Sequence, residues 1–182
     1  MRSGVGSMSS IEKGELPEDA LLSKYFDSGD YTDCYSTRVP GEVSHAEYVE
    51  AFYTTLPFKT ERIILKWAVA RPSTDEDARE LAAGRAEKFA AWYVEERQEQ
   101  QILLSDYRGK TRSWLMSAPS THDGASATTL YFGSAVLRDQ KTTTNERRMG
   151  RGFSFLLGFH KLYSRVLLSS ARSRLIGARN GS

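Results

Sequence analysis

The chain reads as a single α+β domain in which a curved antiparallel sheet is closed by one long C-terminal helix. Three observations point there. From Glu87 to Leu137 apolar residues recur mainly at every second position, the period of half-buried strands. From Met149 to Ile176 they recur every three or four, with Phe153, Leu156, Leu157, Tyr163, Leu167 and Ala171 on one helical face. A lone strand pattern, Asp30–Val39, stands earlier and is separated from the others by helical segments. Strands grouped apart from helices define the α+β class.

At 182 residues the chain is one domain with room for a core, and 40% apolar with 26% charged residues is the balance of a soluble globular protein. No apolar run approaches the roughly 18 residues of a spanning helix, so no transmembrane segment is expected. The opening MRSGVGSMSS lacks the hydrophobic centre of a secretory signal. The single cysteine, Cys34, cannot form an internal disulfide, which fits a reducing, cytoplasmic setting. A net charge of +2 hides an asymmetry. From Lys141 onward nine basic residues face one acid, Glu146, giving +8; the remaining 16 basic and 22 acidic residues give −6. An acidic body and a basic helix are either self-complementary or leave a positive stripe outward.

Taken in order, residues 1–15 are polar and small and read as a disordered lead, followed by one domain over 16–177 and a tail over 178–182. Pro17–Tyr25 is a short helical turn. Asp30–Val39 is a strand ended by Pro40-Gly41. Ser44, with Glu47 three residues on, forms a capping box for a helix that places Ala46, Val49, Phe52 and Tyr53 on one face and stops at Pro57. Phe58–Ala70 continues the helical spacing, making a broken pair. A third helix is capped at Ser73-Thr74, has Asp75, Glu76 and Asp77 in its first turn, and ends at Gly84.

Four strands then follow: Phe89–Arg97, Ile102–Tyr107, Thr111–Ser117 and Thr128–Leu137. Gly109 supplies positive φ in the Arg108–Lys110 turn, and Gly133 marks a bulge or bend. Pro119–Ala127, holding His122, Asp123 and Gly124, reads as a flexible loop, and Lys141–Arg148 as a linker. In the long helix, Gly152 and Gly158 are points of close approach to the sheet.

This order resembles the helix-grip fold of the START and Bet v 1-like (SRPBCC) superfamily. The closing stretch LLGFHKLYSRVLLSSARSRL, with Phe159-His160 and trailing Arg165, Arg172 and Arg174, resembles the end of the uncharacterised bacterial family DUF2867. The paired strands AWYVEERQEQQILLSDYRGKTRSWL are similar to the middle of that family. The likeness covers roughly residues 28–175 and rests on residue types. Five strands are visible where that fold has six or seven, leaving Gly84–Lys88 as the place for a hidden one. The resemblance implies a chamber between sheet and helix for an apolar or lipid-like small molecule, bound more often than transformed.

No dinucleotide or Walker loop, CxxC, HExxH or GxSxG elbow is present, and histidines 45, 122 and 160 have no ligand spacing. No metal or cofactor is expected. His160, inside the helical stripe, is either a proton shuttle or ligand contact, or a core histidine satisfied by a carbonyl or tyrosine. Asp106 and Arg112 are expected to pair across the Arg108–Lys110 turn, orienting a ligand head or simply solvated. Trp92, Trp114, Tyr131 and Phe132 form an aromatic lining, as pocket walls or as packing. Cys34 lacks a basic partner and reads as a buried small side chain.

The arginines of the last helix are expected to meet Glu47, Glu50 or Asp75–Asp77. The resulting reading is a small-molecule binding domain with Trp92, Trp114, Tyr131, Phe132, His160 and Arg112 as contacts and no nucleic-acid partner. Two alternatives stand beside it. One is an acid–base enzyme of cyclase or hydratase type using His160 with Asp106 or a tyrosine. The other is a peripheral membrane or partner-docking module using the basic helix face.

Overall fold

Seven strands make one antiparallel sheet in the computed structural model, which describes residues 10–55, 73–138 and 165–179. They are β1 (Glu12–Lys13), β2 (Tyr31–Pro40), β3 (Lys88–Phe89), β4 (Trp92–Gln98), β5 (Gln101–Asp106), β6 (Thr111–His122) and β7 (Ala125–Val136). Their spatial order is β1-β2-β7-β6-β5-β4-β3, so the first long strand closes against the last. The described helices are α1 (Ser23–Asp27), α2 (His45–Tyr53), α3 (Asp75–Ala82) and a C-terminal helix over 165–179, here α4.

The helix starts are written locally. Ser44 Oγ accepts from the Glu47 amide at 3.2 Å while Glu47 Oε2 accepts from the Ser44 amide at 2.8 Å. Thr74 and Asp77 repeat this reciprocal box at α3, at 3.2 and 2.7 Å. Beyond α3, Gly84 turns at φ +76°, and the Gly84 and Arg85 amides donate back to Leu81 and Glu80, the two bonds of a Schellman ending. The segment Phe58–Ala70 lies outside the described residues, as do Gly152, Gly158 and the helix start expected at Met149.

The strands depart from their expected bounds at three places, and the sheet gains two strands over the five expected. Glu12–Lys13, inside the expected lead, pairs with Ser36 and Tyr35 of β2. Lys88–Phe89 forms its own short strand, because Ala90 (φ +51°) and Ala91 turn the chain back so that Phe89 faces Trp92. The stretch 119–127 is no flexible loop. It is the end of β6, a two-residue turn at Asp123 (φ +50°) and Gly124 (φ +78°), and the start of β7, with His122 opposite Ala125. Two consecutive positive φ values match the right-handed twist of the flanking strands. Pro119 is tolerated because β6 has by then outrun β5, whose ladder ends at Gln101–Met116.

Both sheet faces are covered, and strict alternation along each strand sorts the residues between them. On one face Tyr35, Ile102, Leu104, Leu115, Leu130 and Phe132 pack with Tyr48, Val49, Phe52 and Tyr53 of α2, Ala78 and Leu81 of α3, and Leu167, Leu168, Ala171 and Leu175 of α4. The α4 stripe expected from Leu167 and Ala171 therefore does meet the sheet. On the other face Cys34, Leu103, Trp114, Met116 and Ala135 are covered by Ala20, Leu21 and Leu22 of the segment leading into β2. Gly133 is no bulge, since its register with Cys34 and Trp114 is continuous. Its missing side chain makes room: a Cβ there would lie 2.8 Å from Leu22 Cδ2 and 2.9 Å from Trp114 Cε3.

One irregularity changes the sorting. Between Val94 and Glu96 the β4–β5 register slips, so Val94 faces Leu104 and Glu96 faces Leu103, leaving Glu95 as an extra residue. Val94 packs on the helix face, whereas Glu95 and Glu96 both reach Lys24 of α1 on the other. Arg97 then returns to the helix face, where it donates to the Leu81 and Ala86 carbonyls at 3.0 and 3.3 Å.

Candidate functional site

The start of α2 lies over the far end of the β6–β7 hairpin, and between them is a cleft of about 650 Å³. Val43, His45, Gln100, Ser117, Pro119 and Thr128 are among its walls, with the carboxylates of Glu42, Glu47 and Glu99 at its rim. Most of these polar groups are already engaged. Thr128 Oγ1 accepts from the Val43 amide and donates to the Gly41 carbonyl, both at 2.9 Å, tying the entry of α2 to β7. Glu47 is held by the capping box. Hydrogen bonds from Ser44 keep its carboxyl below the usual range, the partial burial that opposes them being the smaller effect.

His45 is different. It is the first residue of α2, and both ring nitrogens are closed off from solvent with no hydrogen-bond partner among the described residues. Burial pushes its pKa down to about 4, with the nearby Arg97 guanidinium adding to the effect, so the ring is neutral near pH 7. A neutral imidazole carries one donor and one acceptor, and leaving both unmet costs on the order of 1–3 kcal/mol each. No hydrogen bond therefore holds the ring against turning toward the cleft. Sequence reasoning treated this histidine only as one of three without ligand spacing. Its position directly after an N-cap serine places it at a helix start, but its encounter with Arg97, 52 positions away, has no local signal.

The residues expected to line a common pocket are divided by the sheet. Phe132 and Trp92 lie on the helix face, Trp114 and Tyr131 on the other. Tyr131 and Phe132 are neighbours in one strand, so their side chains point in opposite directions. Trp114 is fully buried, and its indole Nε1 donates at 2.9 Å to Gln101 Oε1. Gln101, the last residue of the polar stretch Arg97–Gln101 that reads as a turn between two strands, is instead a buried junction: its Oε1 also accepts from the Leu21 amide at 3.0 Å, and its Nε2 donates to the Asp19 carbonyl at 3.0 Å. His160 lies outside the described residues.

Asp106 and Arg112 do not pair. Asp106 Oδ1 accepts from the Lys110 and Thr111 amides at 2.7 and 2.9 Å and so fastens the turn in which Gly109 takes φ +67°. A carboxylate saturated by backbone amides is a structural one. Arg112 turns toward α1, where its Nε lies 2.5 Å from Glu95 Oε2 and donates to Tyr25 Oη at 2.8 Å. Tyr25 in turn donates to Glu95, and Lys24 Nζ lies 2.9 Å from Glu95 Oε1. Partial burial would push the Glu95 carboxyl up, but the bonds from Tyr25 and Lys24 and the charges of Arg112 and Lys24 outweigh it and hold it below the usual range.

Among the described residues, arginines of α4 donate to backbone carbonyls, and the charge of Arg179 acts on Glu47, one of the expected acids. Arg172 donates to the Arg38 carbonyl at 3.3 Å, Arg174 to Thr54 at 3.2 Å, and Arg179 to Pro40 and Glu42. Arg174 thereby meets the carbonyl end of α2, the negative end of the helix dipole. Glu50 pairs instead with Arg79 at 3.1 Å. Cys34 is buried as expected, its thiol pushed up to about 12 by desolvation and by Asp33 beside it.

Among the described residues no group of three or more histidine, cysteine or acidic side chains could hold a metal ion, and no helix is long and apolar enough to cross a membrane. Compared with known proteins, the chain matches no family model and no curated protein.

Proposed function

We propose that this chain is a helix-grip domain of the START and Bet v 1-like type that binds a small molecule without transforming it, and that the molecule is held in the cleft beside His45. The order of elements supports the first part: one long strand, helices, an antiparallel meander returning to that strand, then a helix packed on the sheet. The likeness to DUF2867 belongs to the same proposal and rests on residue types alone. The observation that carries the second part is the unmet imidazole of His45 on the wall of the cleft.

The described part of the sheet–helix interface is filled by Phe52, Phe132, Leu167, Leu168 and Ala171, which favours the cleft over a chamber there. The cleft's lining mixes Val43, Ala118, Pro119 and Ala127 with Gln100 and Ser117, so the ligand is of mixed polarity, not wholly apolar. It has a hydrogen-bond donor or acceptor that meets His45 once the ring turns. One observation favours binding over chemistry: Asp106, one of the candidate acid–base groups, accepts from two amides of its own turn.

The test is a thermal-shift screen of small polar–apolar compounds, followed by native mass spectrometry of each positive. A ligand of this cleft raises the melting temperature of the wild type and not of His45→Leu, whose fold is checked by circular dichroism. A compound that binds His45→Leu as tightly as wild type overturns the assignment.

A further inference from the structure

The segment 14–29 covers the second sheet face without belonging to the sheet. Leu22 is fully buried and sits in the hollow over Gly133, while Ala20 and Leu21 pack on Cys34, Leu103, Trp114 and Met116. Among the described residues its polar ties fall at three points, beyond the pairing of β1 with Ser36 and Tyr35 that leads into it. The Gly14 amide donates to the Cys34 carbonyl at 3.1 Å. Gln101 holds Asp19 and Leu21 in the middle. At the far end Lys24 and Tyr25 close onto Glu95, Glu96 and Arg112. The chain then turns at Gly29 (φ +78°) into β2, and Asp30 is fixed by accepting from the Arg138 amide at 2.9 Å. A glycine at positive φ can reset its backbone with no Cβ penalty, so the natural hinge lies there.

We propose that residues 14–29, together with the two-residue edge strand β1, which unpairs from Ser36 and Tyr35, are a latch that swings about Gly29 while β2–β7 and the helices on the other face stay folded, with Glu95 as the catch. Three facts converge on this. Among the described residues, the segment's buried apolar side chains pack with one sheet face and their own neighbours, a satellite core separate from the main one. Its one catch is electrostatic and partly wet: the side chains of Lys24, Glu95 and Arg112 are 45, 23 and 11% exposed. And the β4 bulge turns Glu96 to the same side as Glu95, giving the catch a second carboxylate for Lys24. Removing the Glu95 charge leaves Lys24 and Arg112 facing each other with no anion between them except Glu96. Opening the latch displays Trp114, Met116 and Leu103, an apolar surface the closed protein hides.

Cys34 lies under the latch and is the chain's single cysteine, so its rate of thiol–disulfide exchange with an aromatic disulfide reagent reports opening. Glu95→Gln should label roughly tenfold faster than wild type, the scale of losing one charge-assisted contact. About 0.5 M NaCl should speed the wild type a few-fold and Glu95→Gln much less. Phe52→Leu, in the main core, should lower the urea midpoint and leave the labelling rate unchanged. Labelling that accelerates in proportion to the stability lost in Phe52→Leu would mean the thiol is reached only by global unfolding, and the latch would be discarded. The urea dependence of wild-type labelling gives a second reading that needs no variant. A shallow slope in low urea supports the latch, and a slope equal to that of global unfolding overturns it.

Discussion

Protonating His45 should unfold this protein's weakest argument with itself. In the unfolded chain a histidine titrates near 6.5; in the fold burial and Arg97 bring His45 to about 4. Between those values the unfolded state binds a proton that the folded state refuses. Stability therefore rises with pH through this window, is complete above about 6.5, and is lost as pH falls toward 4. At roughly 1.4 kcal/mol per pH unit the whole window is worth about 3 kcal/mol, of which about 2 kcal/mol is lost between pH 7 and pH 5. The perturbation is His45→Leu, which removes the titrating ring and fills similar space with apolar atoms. Carboxylates such as Glu47 also lose their native contacts in acid, but they do so in both proteins, so the difference isolates His45. The assay is urea unfolding followed by tryptophan fluorescence at the two pH values. With a slope of about 2 kcal/mol per molar urea, the wild-type midpoint should fall by about 1 M more than that of the variant. Equal losses in the two proteins would refute the reasoning, because His45 would then titrate alike folded and unfolded.

Two further outcomes follow from the second sheet face. Gly133→Ala places a methyl 2.8 Å from Leu22 and 3.0 Å from the Asp33 carbonyl, so it should cost about 1–3 kcal/mol in chemical denaturation, and a neutral result would mean that Leu22 does not sit in that hollow. Gln101→Met keeps the volume but strands the Leu21 amide, the Trp114 indole and the Asp19 carbonyl; it should lose about 2 kcal/mol or more, measured by urea midpoint, and shift the tryptophan emission.

What was legible in the sequence was local. Ser44 with Glu47, Thr74 as a cap, Gly84 as a stop and Gly109 at positive φ each depend on residues within a few positions, and each is present. The first long strand and the α4 stripe at Leu167 and Ala171 were likewise readable from their periods. What was not legible needed to know which face a residue serves. Trp92, Trp114, Tyr131 and Phe132 share a character but not a side, and the expectation of one lining overlooked that Tyr131 and Phe132 are adjacent. The Asp-Gly pair at 123–124 was a hairpin signal hidden by a proline and a run of small polar residues around it. Gln101 looked like turn polarity because, apart from Gln98, its partners Asp19, Leu21 and Trp114 come from other elements of the chain.

The β4 bulge explains why the candidate site was missed. Read with a strict period of two, Trp92, Val94 and Glu96 share one face and Tyr93, Glu95 and Arg97 the other, which puts Glu95 and Arg97 side by side as an ordinary solvated pair. The extra residue breaks that pairing: Glu95 and Glu96 go to α1, and Arg97 crosses to the helix face. There its guanidinium, held by the Leu81 and Ala86 carbonyls, stands near a histidine with no carboxylate to share. One inserted residue thus separates an acid from a base: Glu95 keeps the face opposite Val94 that strict alternation gives it, while Arg97 changes face. The acid becomes the catch of the latch, and the base helps keep His45 neutral and able to accept a hydrogen bond. The same displacement bears on both proposed features of this protein, because it brings Glu96 to the α1 face beside Glu95 and carries Arg97 to the other face, near His45.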